Sequence, residues 1–164
     1  MSRFIATFFY VGLLRPAPGT WGSAAAIPVA YLLHGLGGFV VLAAATVRVF
    51  GSGWWATVAA TRGMADHDPS EIVIDEVAGQ WIALWPVSFG LGMAGVDPWS
   101  FPWPGWVTAF LFFRLFDIWK PGPVGWAARR KDAFGVMMDD VIAGVLAGGV
   151  VVAAAAIAHL GLGL

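Results

Sequence analysis

Three stretches of the chain, 16–47, 77–96 and 141–164, contain no Asp, Glu, Lys or Arg. Each reaches or exceeds the roughly 20 residues that a helix needs to cross a bilayer. Two shorter uncharged stretches, 49–61 and 98–113, lie between them. In lipid a helix satisfies each backbone N–H and C=O within its own segment. The pattern therefore predicts five helices, at 21–33 (interrupted by Pro28), 39–61, 69–89, 106–120 and 139–160. "HGLGG" at 34–38 reads as a turn, and the Gly/Pro/Trp-rich 90–105 as a loop at a membrane surface. "DPSE" at 68–71 reads as a helix start, with Asp68 as N-cap, Pro69 at the first helical position and Glu71 closing a capping box. The N-terminal "MSRFIATFFYVGLL" is followed by "RPAPGTWGS", which is no cleavage site, so an interfacial segment is expected there. The fold expected is all-α: one domain over 1–164, a polytopic membrane bundle of about five helices with an N-terminal interfacial segment.

Composition strengthens that reading. Hydrophobic residues make up 59% of the chain and charged residues 12%, against roughly 25% charged in an ordinary globular protein. Ten tryptophans suit interfacial belts. On the expected topology Arg15, Arg62, Arg114, Lys120, Arg129, Arg130 and Lys131 fall on one side, and the loops on the other side carry no Lys or Arg. The positive-inside bias makes the charged side cytoplasmic. Arg48, inside the second helix, is the misfit. With no cysteine, thiolate chemistry is excluded, and no basic stripe of the nucleic-acid-binding kind is present.

The acids gather on the same side as the cations. "EIVIDEVAG" at 71–79 places Glu71, Asp75 and Gly79 on one face of the expected third helix, with Glu76 at its edge. A second pair, Asp139 and Asp140, opens the fifth helix in "DDVIAG". Like charges crowded near lipid repel and lose solvation, and a cation relieves both penalties. Oxygen ligands without Cys favour Mg²⁺ or Mn²⁺ over zinc. The competing account is helix capping, which suits Asp68 and stays open for Asp139, but suits Asp75 and Glu76 poorly if they lie a turn inside the helix. In "FFRLFDIWKPGP", Arg114, Asp117 and Lys120 recur every three residues. They read either as headgroup anchors at a helix end or as a phosphate-binding pair oriented by Asp117. "PAPGTWGS" presents Thr20 and Ser23 at a helix start, where free N–H groups suit an anion or the side chains are ordinary caps. Gly144 and Gly148 form a GxxxG face that reads as close helix packing.

"PGTWGS", "DPSEIVIDEVAGQW", "RLFDIWKPGP" and "FGVMMDDVIAG", in this order and on one side of the membrane, resemble the phosphatidylglycerophosphatase A family over about residues 15–148. The resemblance implies a Mg²⁺-dependent phosphatase that converts phosphatidylglycerophosphate to phosphatidylglycerol, with its site at the cytoplasmic face of a bacterial inner membrane. Joined with the residue reading, it gives one expected site. Asp75, Glu76, Asp139 and Asp140 hold the metal. Arg114 and Lys120, with Thr20 and Ser23, take the phosphate. His67 or a carboxylate activates water at the metal, and Glu71, Asp68 and Asp117 support the set. The expected partners are a phospholipid substrate and membrane lipids. Two other classes compete: a CDP-alcohol phosphotransferase-like enzyme, which also needs a nucleotide site, and an ion-coupled transporter, which places ionisable groups at mid-membrane.

Overall fold

The computed structural model describes residues 1–64, 69–130 and 132–162, with side chains described as far as residue 160. These residues contain helices and no strand. Six helices are present: α1 (Ser2–Ala6), α2 (Pro18–Ala60), α3 (Ile74–Met93), α4 (Trp103–Trp119), α5 (Gly122–Ala128) and α6 (Ala133–Leu162), with a 3₁₀ turn at Val11–Leu13. Two of them, α2 and α6, are long and apolar enough to cross a membrane.

α2 contains the first two helices expected from the sequence, joined across a break. Its backbone leaves the helical region at Gly37 and at Gly38, where φ is +63°. Only Gly adopts such a conformation without a Cβ penalty. The chain reverses there, so both halves of α2 clasp α3. From the first half, Ala26 O accepts a hydrogen bond from Trp81 Nε1 (2.9 Å). From the second, Thr46 Oγ1 accepts one from Trp85 Nε1 (3.2 Å). The predicted turn at 34–38 is thus confined to two glycines.

Two predicted helix starts move, and each has a physical reason. α3 begins at Ile74, with Val73 at the N-cap position. The 69–73 stretch is not helical; it is held by Val73 N donating to Ala6 O of α1 (2.9 Å) and by an ion pair between Glu71 and Arg3 (3.2 Å). Glu71 therefore closes no capping box and does not share a helical face with Asp75. At the other end, α6 starts at Ala133 instead of 139. Asp132 Oδ1 accepts the N–H of Gly135 (2.7 Å), so Asp132 is the side chain that caps the helix.

The core runs along α3, from Val73 and Val77 to Leu84, and is closed by Leu42 of α2, Trp106 and Phe113 of α4 and Met137 of α6. The remaining apolar surface is extensive. Val40, Val47, Leu111, Ile118, Val152 and Ile157 are all exposed. Exposed tryptophans mark both ends of the bundle: Trp119 and Trp126 near the start of α3, Trp99 and Trp103 at the opposite end. Arg48 is exposed on the second half of α2.

Candidate active site

The acidic site forms where α3 and α6 cross. A methyl group on Gly79 would collide with the main-chain oxygen of Asp140 and the ring of Phe113, and one on Gly144 would collide with the main-chain oxygen of Gly79. The two helices therefore meet backbone to backbone. One turn from this crossing, Asp75 and Glu76 of α3 and Asp140 of α6 bring carboxylate oxygens within 4.8 Å of one another. Asp75 and Asp140 are buried and Glu76 half-buried. Glu76 Oε2 and Asp140 Oδ1 lie buried without a hydrogen-bond partner among the described residues.

Helix starts change the meaning of these positions. Asp75 and Glu76 stand in the first turn of α3, where the positive end of the helix dipole favours them. Asp139 and Asp140 lie a full turn or more inside α6, where the dipole does little and capping explains neither.

Two cations border the carboxylates. Arg114, near the end of α4, donates to Asp117 Oδ2 (2.5 Å) and stands 3.5 Å from Ser23 Oγ. Ser23 Oγ donates to Gly19 O (2.8 Å), and Gly19 leaves the room in which Glu76 Oε1 and Arg114 lie. Lys120 occupies the left-handed C-cap of α4 (φ +50°), and its Nζ donates to Asp139 Oδ2 (2.5 Å). Burial pulls the Lys120 ammonium down, but the Asp139 hydrogen bond and the charges of Asp139, Asp140 and Asp117 outweigh it, so Lys120 sits above the ordinary lysine value.

The predicted site residues thus separate into three groups. Asp75, Glu76 and Asp140 converge, with Arg114, Asp117 and Ser23 beside them. Asp139 is turned to Lys120 and holds that cation instead of joining the triad. Glu71 lies apart at the Arg3 pair, and Thr20 is half-buried on the first turn of α2. His67 and Asp68 lie outside the described residues. Sequence reasoning missed Gln80, wholly buried on α3 one turn beyond Glu76, with neither amide atom hydrogen-bonded among the described residues. Its position at i+4 from a candidate ligand was the available signal.

The donor set fits a hard divalent cation. Three carboxylates in one buried spot repel, and two of their oxygens are left without partners, which a cation would remedy. Asp75, Glu76 and Asp140 are the residues that would hold it.

Comparison with known proteins identifies the family. The family model described as Phosphatidylglycerophosphatase A matches residues 4–155. The chain is 35% identical over 146 residues to the Phosphatidylglycerophosphatase A of Haemophilus influenzae, covering 88% of this chain and 83% of that one. It is 34% identical over 154 residues to the protein of the same name from Escherichia coli, covering 90% and 80%. A Bacteroides thetaiotaomicron chain provisionally named a phosphatidylinositol-3-phosphatase is 37% identical over 147 residues, covering 86% and 85%. No solved structure gives a significant match. The chain belongs to the phosphatidylglycerophosphatase A family and, with it, to the phosphoric monoester hydrolases.

Proposed function

We propose that this chain hydrolyses the terminal phosphomonoester of phosphatidylglycerophosphate to phosphatidylglycerol and phosphate, with Mg²⁺ as cofactor, at the cytoplasmic face of a bacterial inner membrane. The observation that carries the reading is the convergence of Asp75, Glu76 and Asp140 within 4.8 Å, bordered by the guanidinium of Arg114 and the ammonium of Lys120. A cation held there supplies neutralising charge to phosphate oxygens and lowers the pKa of water. The chain supplies the rest. Asp117 holds Arg114 and Asp139 holds Lys120, so two cations stand ready for the phosphate's spread charge without reorganising during the reaction. His67 and the carboxylates are the candidate proton acceptors.

Membrane placement in this reading is supported by the apolar surface and the position of the charges. α2 and α6 supply apolar length, and the exposed tryptophans at the two ends fit two interfacial belts. Arg15, Arg62, Arg114, Lys120, Arg129 and Arg130 lie at the acidic end, so the positive-inside bias directs that end to the cytoplasm. The headgroup then reaches the carboxylates while its acyl chains stay among the exposed apolar faces.

The test is phosphate release from phosphatidylglycerophosphate and from phosphatidylinositol 3-phosphate in detergent, with Mg²⁺ or EDTA, for wild type and Asp75→Asn. Strong Mg²⁺-dependent release from the first lipid, lost in the variant, is the expected result. Release unaffected by EDTA would overturn the metal site. Preference for the inositol lipid would overturn the substrate and favour the reading carried by the Bacteroides relative's name.

A further inference from the structure

Gln80 is a buried polar side chain on the carboxylate-bearing helix that takes no part in the proposed chemistry. It has no exposed surface, and both its amide nitrogen and its amide oxygen lack hydrogen-bond partners among the described residues. A buried amide in that condition weakens the fold, so an apolar residue of the same size is the better structural choice. Its presence in the second turn of α3 asks for a function.

Helix geometry says where the amide is directed. Glu76 and Gln80 are i and i+4 on the same uninterrupted helix, so their Cβ atoms are about 5–6 Å apart. Long side chains on a helix lean toward its N-terminus, which carries Gln80 back over Glu76. The flanking contacts fix its level. Glu76 lies against Gly19 of α2 and Trp81 bonds to Ala26, so Gln80 stands opposite the stretch containing Ser23. Ser23 Oγ in turn is 3.5 Å from Arg114.

The unmatched groups around that point are complementary. Among the described residues Glu76 Oε2 lacks a donor and Arg114 Nε lacks an acceptor, and Gln80 offers one of each. We infer that Gln80 is a positioning residue that engages when the cation is held: its amide nitrogen then donates to the second oxygen of Glu76 and its amide oxygen accepts from Arg114 Nε. It thereby holds one face of the carboxylate, leaves the other to the cation, and ties the cation-binding helix to the phosphate-binding arginine. This inference rests on the proposed metal-dependent phosphatase.

The experiment titrates Mn²⁺ alone into the purified protein in detergent, reading free Mn²⁺ by electron paramagnetic resonance, for wild type, Gln80→Met and Gln80→Leu. Thermal midpoints are measured without metal. Both variants are expected to bind Mn²⁺ about 10–100-fold more weakly, as loss of a ligand-orienting partner does, while their thermal midpoints hold or rise. Wild-type Mn²⁺ affinity in the variants overturns the role of Gln80 and leaves the metal site standing. A loss of affinity matched by a fall in thermal midpoint in both variants also overturns it, since Gln80 then acts through packing. Absence of Mn²⁺ binding by wild type overturns the metal reading and this inference together.

Discussion

Asp139 and Asp140 share a peptide bond, and both are buried, yet they meet different chemistry. Asp139 spends its oxygens on Lys120 (2.5 Å) and on the backbone N–H of Asp140 (3.0 Å). Asp140 turns toward α3, joins Asp75 and Glu76, and keeps one oxygen without a hydrogen-bond partner among the described residues. About 100° of helix rotation separates the two side chains, and that rotation decides which one faces the end of α4 and which faces the acidic pair. Adjacency in sequence is thus a poor guide to shared role. An unbalanced carboxylate points to a ligand, whereas a balanced one points to the residue it restrains.

The widest gap is expected from Asp140→Asn. Mg²⁺-dependent phosphate release should fall on the order of 10³-fold or more, because charge stabilisation at the phosphate depends on the ion being held. The same variant should be more heat-stable than wild type in EDTA, since one of three crowded charges is gone. It should also lose the stabilisation Mg²⁺ gives wild type, about 2.7 kcal/mol at a hundredfold excess over Kd. A thermal midpoint lowered in EDTA would mean that the triad is not repulsive. Asp139→Asn should cost less, about 10–100-fold in turnover, because it only releases Lys120; a loss equal to that of Asp140→Asn would erase the distinction. Gly144→Ala should cost about 1–3 kcal/mol by forcing α6 off Gly79, read as a lowered midpoint with activity falling alongside. Glu71→Gln should leave activity within about twofold, since its pair with Arg3 is largely solvated.

The Lys120–Asp139 pair also sets an expectation with pH. The folded value of Lys120 is raised, so its contribution to stability is complete below the ordinary lysine value of about 10.4 and is lost only as pH rises through the higher folded value. Activity changes at acid or neutral pH therefore arise from other groups, and Lys120→Met should preserve the shape of a pH profile while lowering its height. A Met variant that moves the acidic limb would contradict this.

Much of this was legible in the sequence. Uncharged length announced the long helices, and the carboxylate and cation motifs supplied the residues that converge at the candidate site. The failures share a cause: helix starts were judged from local cap letters. "DPSE" has the right letters, but residues 69–73 form a turn that is held to α1 by the Val73 N–H donating to Ala6 O. Asp132, which caps α6, lies seven residues before the acidic pair from which the fifth helix was expected to start. The short α5 gave no signal because "GPVGWAA" carries too few apolar positions to show a period. Gln80 was invisible for another reason: a buried polar residue without a partner is recognised only after its neighbours are placed. Gly144 and Gly148, read as a packing face, do pack closely, against Gly79 and Pro86.

The backbone contact between α3 and α6 also has a bearing on the order in which the protein matures. Asp75 and Glu76 emerge from the ribosome long before Asp140, and the triad does not exist until α6 has slid into place against Gly79. Until then the chain carries two acids at a helix start, and on the proposed chemistry phosphate release would report the contact between α3 and α6.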